Sequence, residues 1–178
     1  MSLTPAELTI LGLVIEKPSH GYELEQVIER RGIREWTDLG FSSIYYLLGR
    51  LEKRGLVTAE PSAGPAAGPK ARRVFRATGA GVAEARDATL ALLSSTRPSF
   101  SPFLTALAYR PLVGEREFTA AVRQRRDALA AQIAAVQGAR AAQQPLPPHA
   151  EAVFDYSLHL MRAEKAWLDQ AGKGDDTA

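Results

Sequence analysis

SSIYYLLGRLEKRGLV, running from Ser42 to Val57, is the stretch on which the fold turns. At helical spacing it separates into two faces, Ile44, Leu48 and Leu51 on one and Ser43, Tyr46, Arg50 and Lys53 on the other. Ser42 or Ser43 caps the start of this helix, and Gly55 follows Arg54 as its stop. The polar face suits a polyanion: Arg and Lys pair with phosphate or guanine edges, Ser donates to phosphate, and Tyr joins a hydroxyl to a flat body able to touch a thymine methyl. Tyr45 lies at the margin, placed either to contact a nucleic-acid backbone or to pack inward. Alone, such a face is only the solvated side of a surface helix. Its surroundings turn the reading toward DNA.

Two short helices precede it. Thr4 as N-cap, Pro5 at the first helical position and Glu7 closing a capping box start the first, whose Leu8, Leu11, Val14 and Ile15 form an apolar face ending at Pro18. The second spans Gly21 to about Arg31, with Tyr22, Leu24, Val27 and Ile28 apolar and Gly32 as its stop. Three short helices in the first 55 residues match a helix-turn-helix domain. Downstream, Leu56 to Glu60 and Arg73 to Ala77 read as strands around PSAGPAAGPKAR, a hairpin whose tip carries Lys70, Arg72 and Arg73, with Arg76 further along the second strand. A cationic wing of this kind lies along the DNA backbone or enters the minor groove.

The charge distribution agrees. The net charge is only +2, but seven cations stand against two acids (Glu52 and Glu60) between Arg50 and Arg76, while from Thr78 onward eleven of each sign balance. An acidic partner is therefore expected at the N-terminal part. With 178 residues, 46% hydrophobic content and no cysteine, the chain reads as a globular protein without disulfides or Cys-rich zinc sites. The opening MSLTPAELTI lacks a signal-peptide pattern and no apolar run of about 18 residues exists, so no membrane association and a cytoplasmic location are expected.

Thr78 caps a fourth helix reaching about Ser94, with Val82, Leu90 and Leu93 apolar. STRPSFSPF then marks a boundary where Pro98 and Pro102 interrupt any helix. Two long helices follow, about Glu115 to Ala142 and His149 to Gln170, joined by QQPLPPH. In the last, Val153, Tyr156, Leu160, Ala163 and Trp167 form one apolar stripe and Phe154, Leu158, Met161 and Leu168 an adjoining one. So wide an arc needs more than one partner surface, and a second copy of the chain supplies one. Val153, Phe154, Leu158, Leu160, Met161 and Trp167 are the expected dimer contacts. A two-fold protein in turn matches a palindromic operator in double-stranded DNA, with half-sites about 34 Å apart or a multiple of it.

The chain thus reads as mainly α. An N-terminal winged helix-turn-helix of three helices plus a two-stranded wing occupies 1–78, a linking helix 79–97, a C-terminal helical dimerisation region 98–172 and a tail 173–178. Two rivals stand beside it. A helical protein-interaction module would bind neither heparin nor DNA in a salt-dependent way. A small metal-dependent enzyme would use Glu151, Asp155 and His159, which share one helix face but lack a second cluster to complete a site. GAG at Gly79 to Gly81 lacks the context of a phosphate loop, so neither cofactor nor metal is expected.

LTPAELTILGLV near the start, PSHGYEL at Pro18 to Leu24, the quoted Ser42 to Val57 segment and RRVFRATGAG after the wing together resemble the PadR family of bacterial transcriptional regulators over about residues 3 to 90. The resemblance implies a winged helix-turn-helix head, a homodimer formed by C-terminal helices, and repression relieved by a small molecule. By the same resemblance Ser42, Ser43, Tyr45, Tyr46 and Arg50 match the DNA-facing helix and Lys70, Arg72 and Arg73 the wing. His20, Gly21 and Tyr22 match the start of the second helix, where Tyr22 either contacts phosphate or packs, core packing being the expected role. The chain departs from the family in having Val74 where an aromatic is usual and a wing rich in Pro, Gly and Ala. Trp36 and Trp167 are candidates to line the effector site.

Overall fold

Thr4 opens the first helix as its sequence predicts. The Thr4 hydroxyl accepts the Glu7 N–H at 3.2 Å and Glu7 accepts the Thr4 N–H at 2.9 Å, a reciprocal cap that starts α1 (Pro5–Glu16). The computed structural model describes residues 2–40, 43–61, 73–96 and 100–172. Ser42, Lys70 and Arg72 lie outside the described residues, as do the hairpin tip and the 173–178 tail. Contacts divide the chain into two units, Met1–Arg97 and Pro98–Ala178.

In the first unit α1 is followed by β1 (Ser19–His20), α2 (Gly21–Arg30) and, after a 3-10 turn at Ile33–Glu35, α3 (Ser43–Lys53). Gly32 and Gly55 adopt positive φ of 62° and 69°, which glycine enters without the Cβ penalty. Gly55 ends α3 in a Schellman turn: its N–H donates to the Glu52 carbonyl and that of Leu56 to Leu51, both at 2.9 Å. The chain leaves this turn as β2 (Val57–Pro61), which pairs antiparallel with β3 (Arg73–Ala77).

The sheet has three strands rather than the expected hairpin pair. β1 joins the other side of β3, Ser19 opposite Phe75 and His20 opposite Val74, giving the order β1-β3-β2. Two residues are too short for strand periodicity to show in a sequence, and the pairing arises because Ser19 is buried beside Phe75 at the edge of the core. That core gathers Ile10, Leu11 and Val14 of α1, Leu24 and Ile28 of α2, and Ile44, Leu47, Leu48 and Leu51 of α3. β3 adds Phe75, and α4 (Gly79–Ser94) adds only Ala85 and Ala88.

Small residues on α4 let it lie close to the rest. Thr78 caps α4 while its hydroxyl donates to the Gly55 carbonyl at 2.8 Å and its N–H to that of Leu56 at 3.0 Å, so the turn after α3 and the start of α4 share one hydrogen-bonded knot. Gly81 completes the knot by donating its N–H to the Thr78 hydroxyl at 3.0 Å. The apolar residues the sequence places on α4, Val82, Leu90 and Leu93, face away and are exposed.

The second unit begins with α5 (Pro102–Ala108), a short helix that no expectation from the sequence placed. Pro102 stands at the first helical position, where its missing N–H costs nothing, and the Ser101 hydroxyl accepts the Phe103 N–H at 3.2 Å. Two long helices, α6 (Glu115–Ala142) and α7 (Pro148–Ala171), then pack along each other around Val122, Leu129 and Leu168. Phe103, Phe118, Ile133 and Met161 close around these three.

Candidate nucleic-acid interface

Helix α3 is held by its buried Ile44, Leu47, Leu48 and Leu51, and the opposite side therefore faces outward. Tyr45 and Tyr46 are 61% and 64% exposed, and Lys53 is exposed. Two adjacent tyrosines thus stand open on a helix whose other side is buried, and Tyr45 finds a seat on α2. A Cβ added to Gly21 would fall 2.4 Å from the Tyr45 ring, so Gly21 provides the space that the ring occupies. Of the two alternatives for Tyr45, the ring leans on Gly21 of α2 while much of it stays exposed. Ser43 donates its hydroxyl to the Gly40 carbonyl at 2.6 Å, securing the entry to the helix.

The cations expected on this surface are not equally available. Arg50 pairs with Glu7 of α1 (Nη2 to Oε1, 3.2 Å) and its guanidinium carbon lies 5.9 Å from the Tyr46 ring centroid. Arg54 bridges Glu7 at 3.7 Å and Glu84 of α4 at 3.1 Å. Arg73 pairs with Glu52 and lies 5.5 Å from the Phe75 ring centroid, fastening the root of the wing to α3. Lys53 and Arg76 are exposed and make no ion pair with any described residue. Lys70 and Arg72, the other expected wing cations, lie outside the described residues, as does Ser42.

Glu7 is the residue that sequence reasoning undervalued. It reads as a capping-box acid, yet its side chain is fully buried and meets two arginines of α3 and the turn after it. The signal was its spacing: Glu7 falls three, four and seven residues before Ile10, Leu11 and Val14, on the apolar stripe of α1. The HGYEL segment also gains a role. His20 donates its backbone N–H to Glu23 at 2.7 Å, and its Nδ1 lies 3.1 Å from the Arg73 carbonyl, a hydrogen bond when that nitrogen carries the proton. Tyr22 stacks on the His20 ring at 5.4 Å and is 41% exposed, so it packs beside the wing root rather than in the core.

In the second unit the two stripes of α7 part company. Leu158 and Leu168 of one stripe are buried, and Met161 packs against the unit's core. On the other, Tyr156, Leu160 and Trp167 are exposed, the Trp167 ring standing edge-on to Phe103 at 5.8 Å. Phe154 and Val153 are partly buried. Of the expected dimer contacts, Leu158 and Met161 are thus already covered within one copy. Leu160 and Trp167 are the ones left open.

The residues of the enzymatic alternative are spoken for. Glu151 accepts Gln144 Nε2 at 2.6 Å and Arg140 Nε at 2.7 Å, and the Gln144 hydrogen bond, with help from Arg140, holds its carboxyl below the usual range. His159 points Nδ1 at the Asp155 carbonyl, 2.9 Å away. Among the described residues no group of three His, Cys, Asp or Glu is placed to hold a metal, and no helix is long and apolar enough to cross a membrane.

Residues 10–87, from the middle of α1 to the middle of α4, match the sequence profile of the Transcriptional regulator PadR-like family. Over these residues the first unit is similar in sequence to the PadR-like family. These are DNA-binding winged-helix regulators of transcription rather than enzymes. The fold of the whole chain is likewise that of solved PadR proteins. Bacillus subtilis PadR in complex with operator DNA is 16% identical, with 94% of this chain and 97% of that one covered at a TM-score of 0.74. The same protein in complex with p-coumaric acid gives 16% identity, 94% and 96% coverage and a TM-score of 0.76. A PadR-like transcriptional regulator from Bacillus cereus gives 17%, 94% and 96%, and 0.69. No curated protein matches the sequence.

Proposed function

We propose that this PadR-like chain is a sequence-specific DNA-binding repressor that acts as a homodimer on a palindromic operator and is released by a small-molecule effector. The observation that carries the DNA-binding part is the outward face of α3, where Ser43, Tyr45, Tyr46 and Lys53 surround the partly exposed Arg50. Such a face offers hydroxyl donors, ring surface and positive charge at major-groove width. Residues 1–78 serve as the DNA-binding domain, with Arg73 and Arg76 at the wing root and Lys70, Arg72 and Ser42 completing the contact set. Bacillus subtilis PadR, which shares the fold, binds operator DNA.

Residues 98–172 serve as the dimerisation domain, joined to the head through the helix in 79–97. Support comes from the open stripe of α7, where Tyr156 and Leu160 are 67% and 55% exposed and lie at helical spacing with Trp167. Two-fold pairing through this stripe would place two recognition helices on one duplex. Leu160→Glu sets a charge in that stripe without touching either core. It is expected to convert the dimer to monomer by analytical ultracentrifugation while leaving the circular dichroism spectrum intact. A wild-type chain that sediments as a monomer would rule the dimer out.

The effector part rests on the likeness to Bacillus subtilis PadR, which has been crystallised with p-coumaric acid. In this chain Trp167 meets Phe103, and the Arg125 guanidinium lies 4.1 Å from the Phe103 ring centroid, a grouping suited to an aromatic acid. Trp36, 49% exposed, is the corresponding candidate in the first unit. An effector of this kind acts by binding the DNA-free state more tightly than the DNA-bound one.

A further inference from the structure

A fully buried carboxylate lies directly behind the recognition surface. Glu7 is 0% exposed. Its Oε2 accepts the Thr4 N–H, whereas no described donor meets its buried Oε1 with hydrogen-bond geometry. That oxygen instead faces two guanidinium groups, Arg50 at 3.2 Å and Arg54 at 3.7 Å. A buried carboxylate demands positive charge beside it, so the two arginines cannot both leave. Arg54 is also engaged by Glu84 on its other side. Arg50 has Tyr46 beside it and keeps 38% of its side chain exposed.

We infer that Glu7 is a positioning residue for DNA discrimination, a role that rests on the DNA-binding function proposed above: it draws one terminal nitrogen of Arg50 inward as an ion pair and offsets part of its charge toward bulk phosphate. A guanidinium drawn by one nitrogen toward a buried acid and flanked by the Tyr46 ring presents its other N–H groups over a narrower range of directions, which favours a bidentate contact with one base edge over loose contact with any phosphate. A cation paired to a buried acid also contributes less to long-range attraction for DNA of any sequence. Glu7 therefore raises specific binding relative to non-specific binding without itself touching DNA. A purely structural acid would affect stability and lower binding to all duplexes alike.

The test uses the full chain, a duplex from its own upstream promoter region and a scrambled duplex of equal length, with fluorescence anisotropy at several salt concentrations. Glu7→Gln keeps the shape and the acceptor for the Thr4 N–H but removes the charge. The ratio of promoter to scrambled affinity is expected to fall about tenfold, the worth of one good base contact, with scrambled-DNA affinity rising and the salt slope steepening by about one. Arg50→Lys, which keeps the charge and the fold but not the fork, is expected to lower the same ratio and decides the question should Glu7→Gln fail to fold. An unchanged ratio in either folded variant overturns the role of Glu7, as does an equal fall on both duplexes. Binding of neither duplex by the wild-type chain would instead overturn the DNA-binding function and this inference with it.

Discussion

Gly81→Ala is expected to lower the melting midpoint of the first unit by about 15 °C, from a loss of about 3 kcal/mol at a few degrees per kcal/mol for a domain of this size. A Cβ at this position would fall 2.1 Å from the Leu56 carbonyl oxygen and 3.0 Å from the carbonyl carbon, contacts with backbone that no rotamer change can relieve. The Leu56 carbonyl cannot retreat cheaply either, because it accepts the Thr78 N–H at 3.0 Å in the knot that joins the end of α3 to the start of α4. Relief would require α4 to lift from α1 and carry Ala85 and Ala88 out of the core. Gly79→Ala is the control, since nothing lies within 4 Å of a Cβ there. Thermal circular dichroism should show a large fall for the first variant and little change for the second. Equal melting of the two variants would mean that the close approach of Gly81 to Leu56 is not a constraint on folding.

The second large effect concerns function. Tyr46→Ala combined with Lys53→Ala is expected to weaken promoter binding by about a hundredfold, if each contact is worth about 1 to 3 kcal/mol. Both side chains are exposed, so the double variant should fold and melt as the wild type does. These positions separate binding from stability better than Arg50 does, because Arg50→Ala would leave the buried Glu7 with one fewer counter-charge. Promoter affinity within threefold of wild type would remove the outward face of α3 from the DNA contact.

How far the sequence carries the fold and the site is clearest at α1 and α3. Thr4, Pro5 and Glu7 announce the start of α1 through local hydrogen-bond chemistry, and the alternation of Ile44, Leu48 and Leu51 with polar residues sets which side of α3 is buried. Both signals are written in neighbouring residues. β1 is not legible, because two residues carry no period and Ser19 becomes a strand only when β3 lies beside it. The same holds for charge. Seven cations between Arg50 and Arg76 read as an open basic surface, but Arg50, Arg54 and Arg73 meet Glu7, Glu84 and Glu52 from other elements. Gly81 looks like part of a weak phosphate-loop pattern, and only the path of Leu56 shows why a side chain is barred there. On α7 the sequence marks two apolar stripes without saying which one turns inward, a choice made by the packing of Leu168 against Val122 and Leu129.

If the face of α3 and the wing root read DNA, titration of the wild-type chain with its own upstream promoter duplex and a scrambled duplex across a series of salt concentrations will show it. Tighter binding to the promoter duplex is expected, with the logarithm of affinity falling linearly against the logarithm of salt. Absence of binding to both duplexes, or an affinity that ignores salt, would contradict it.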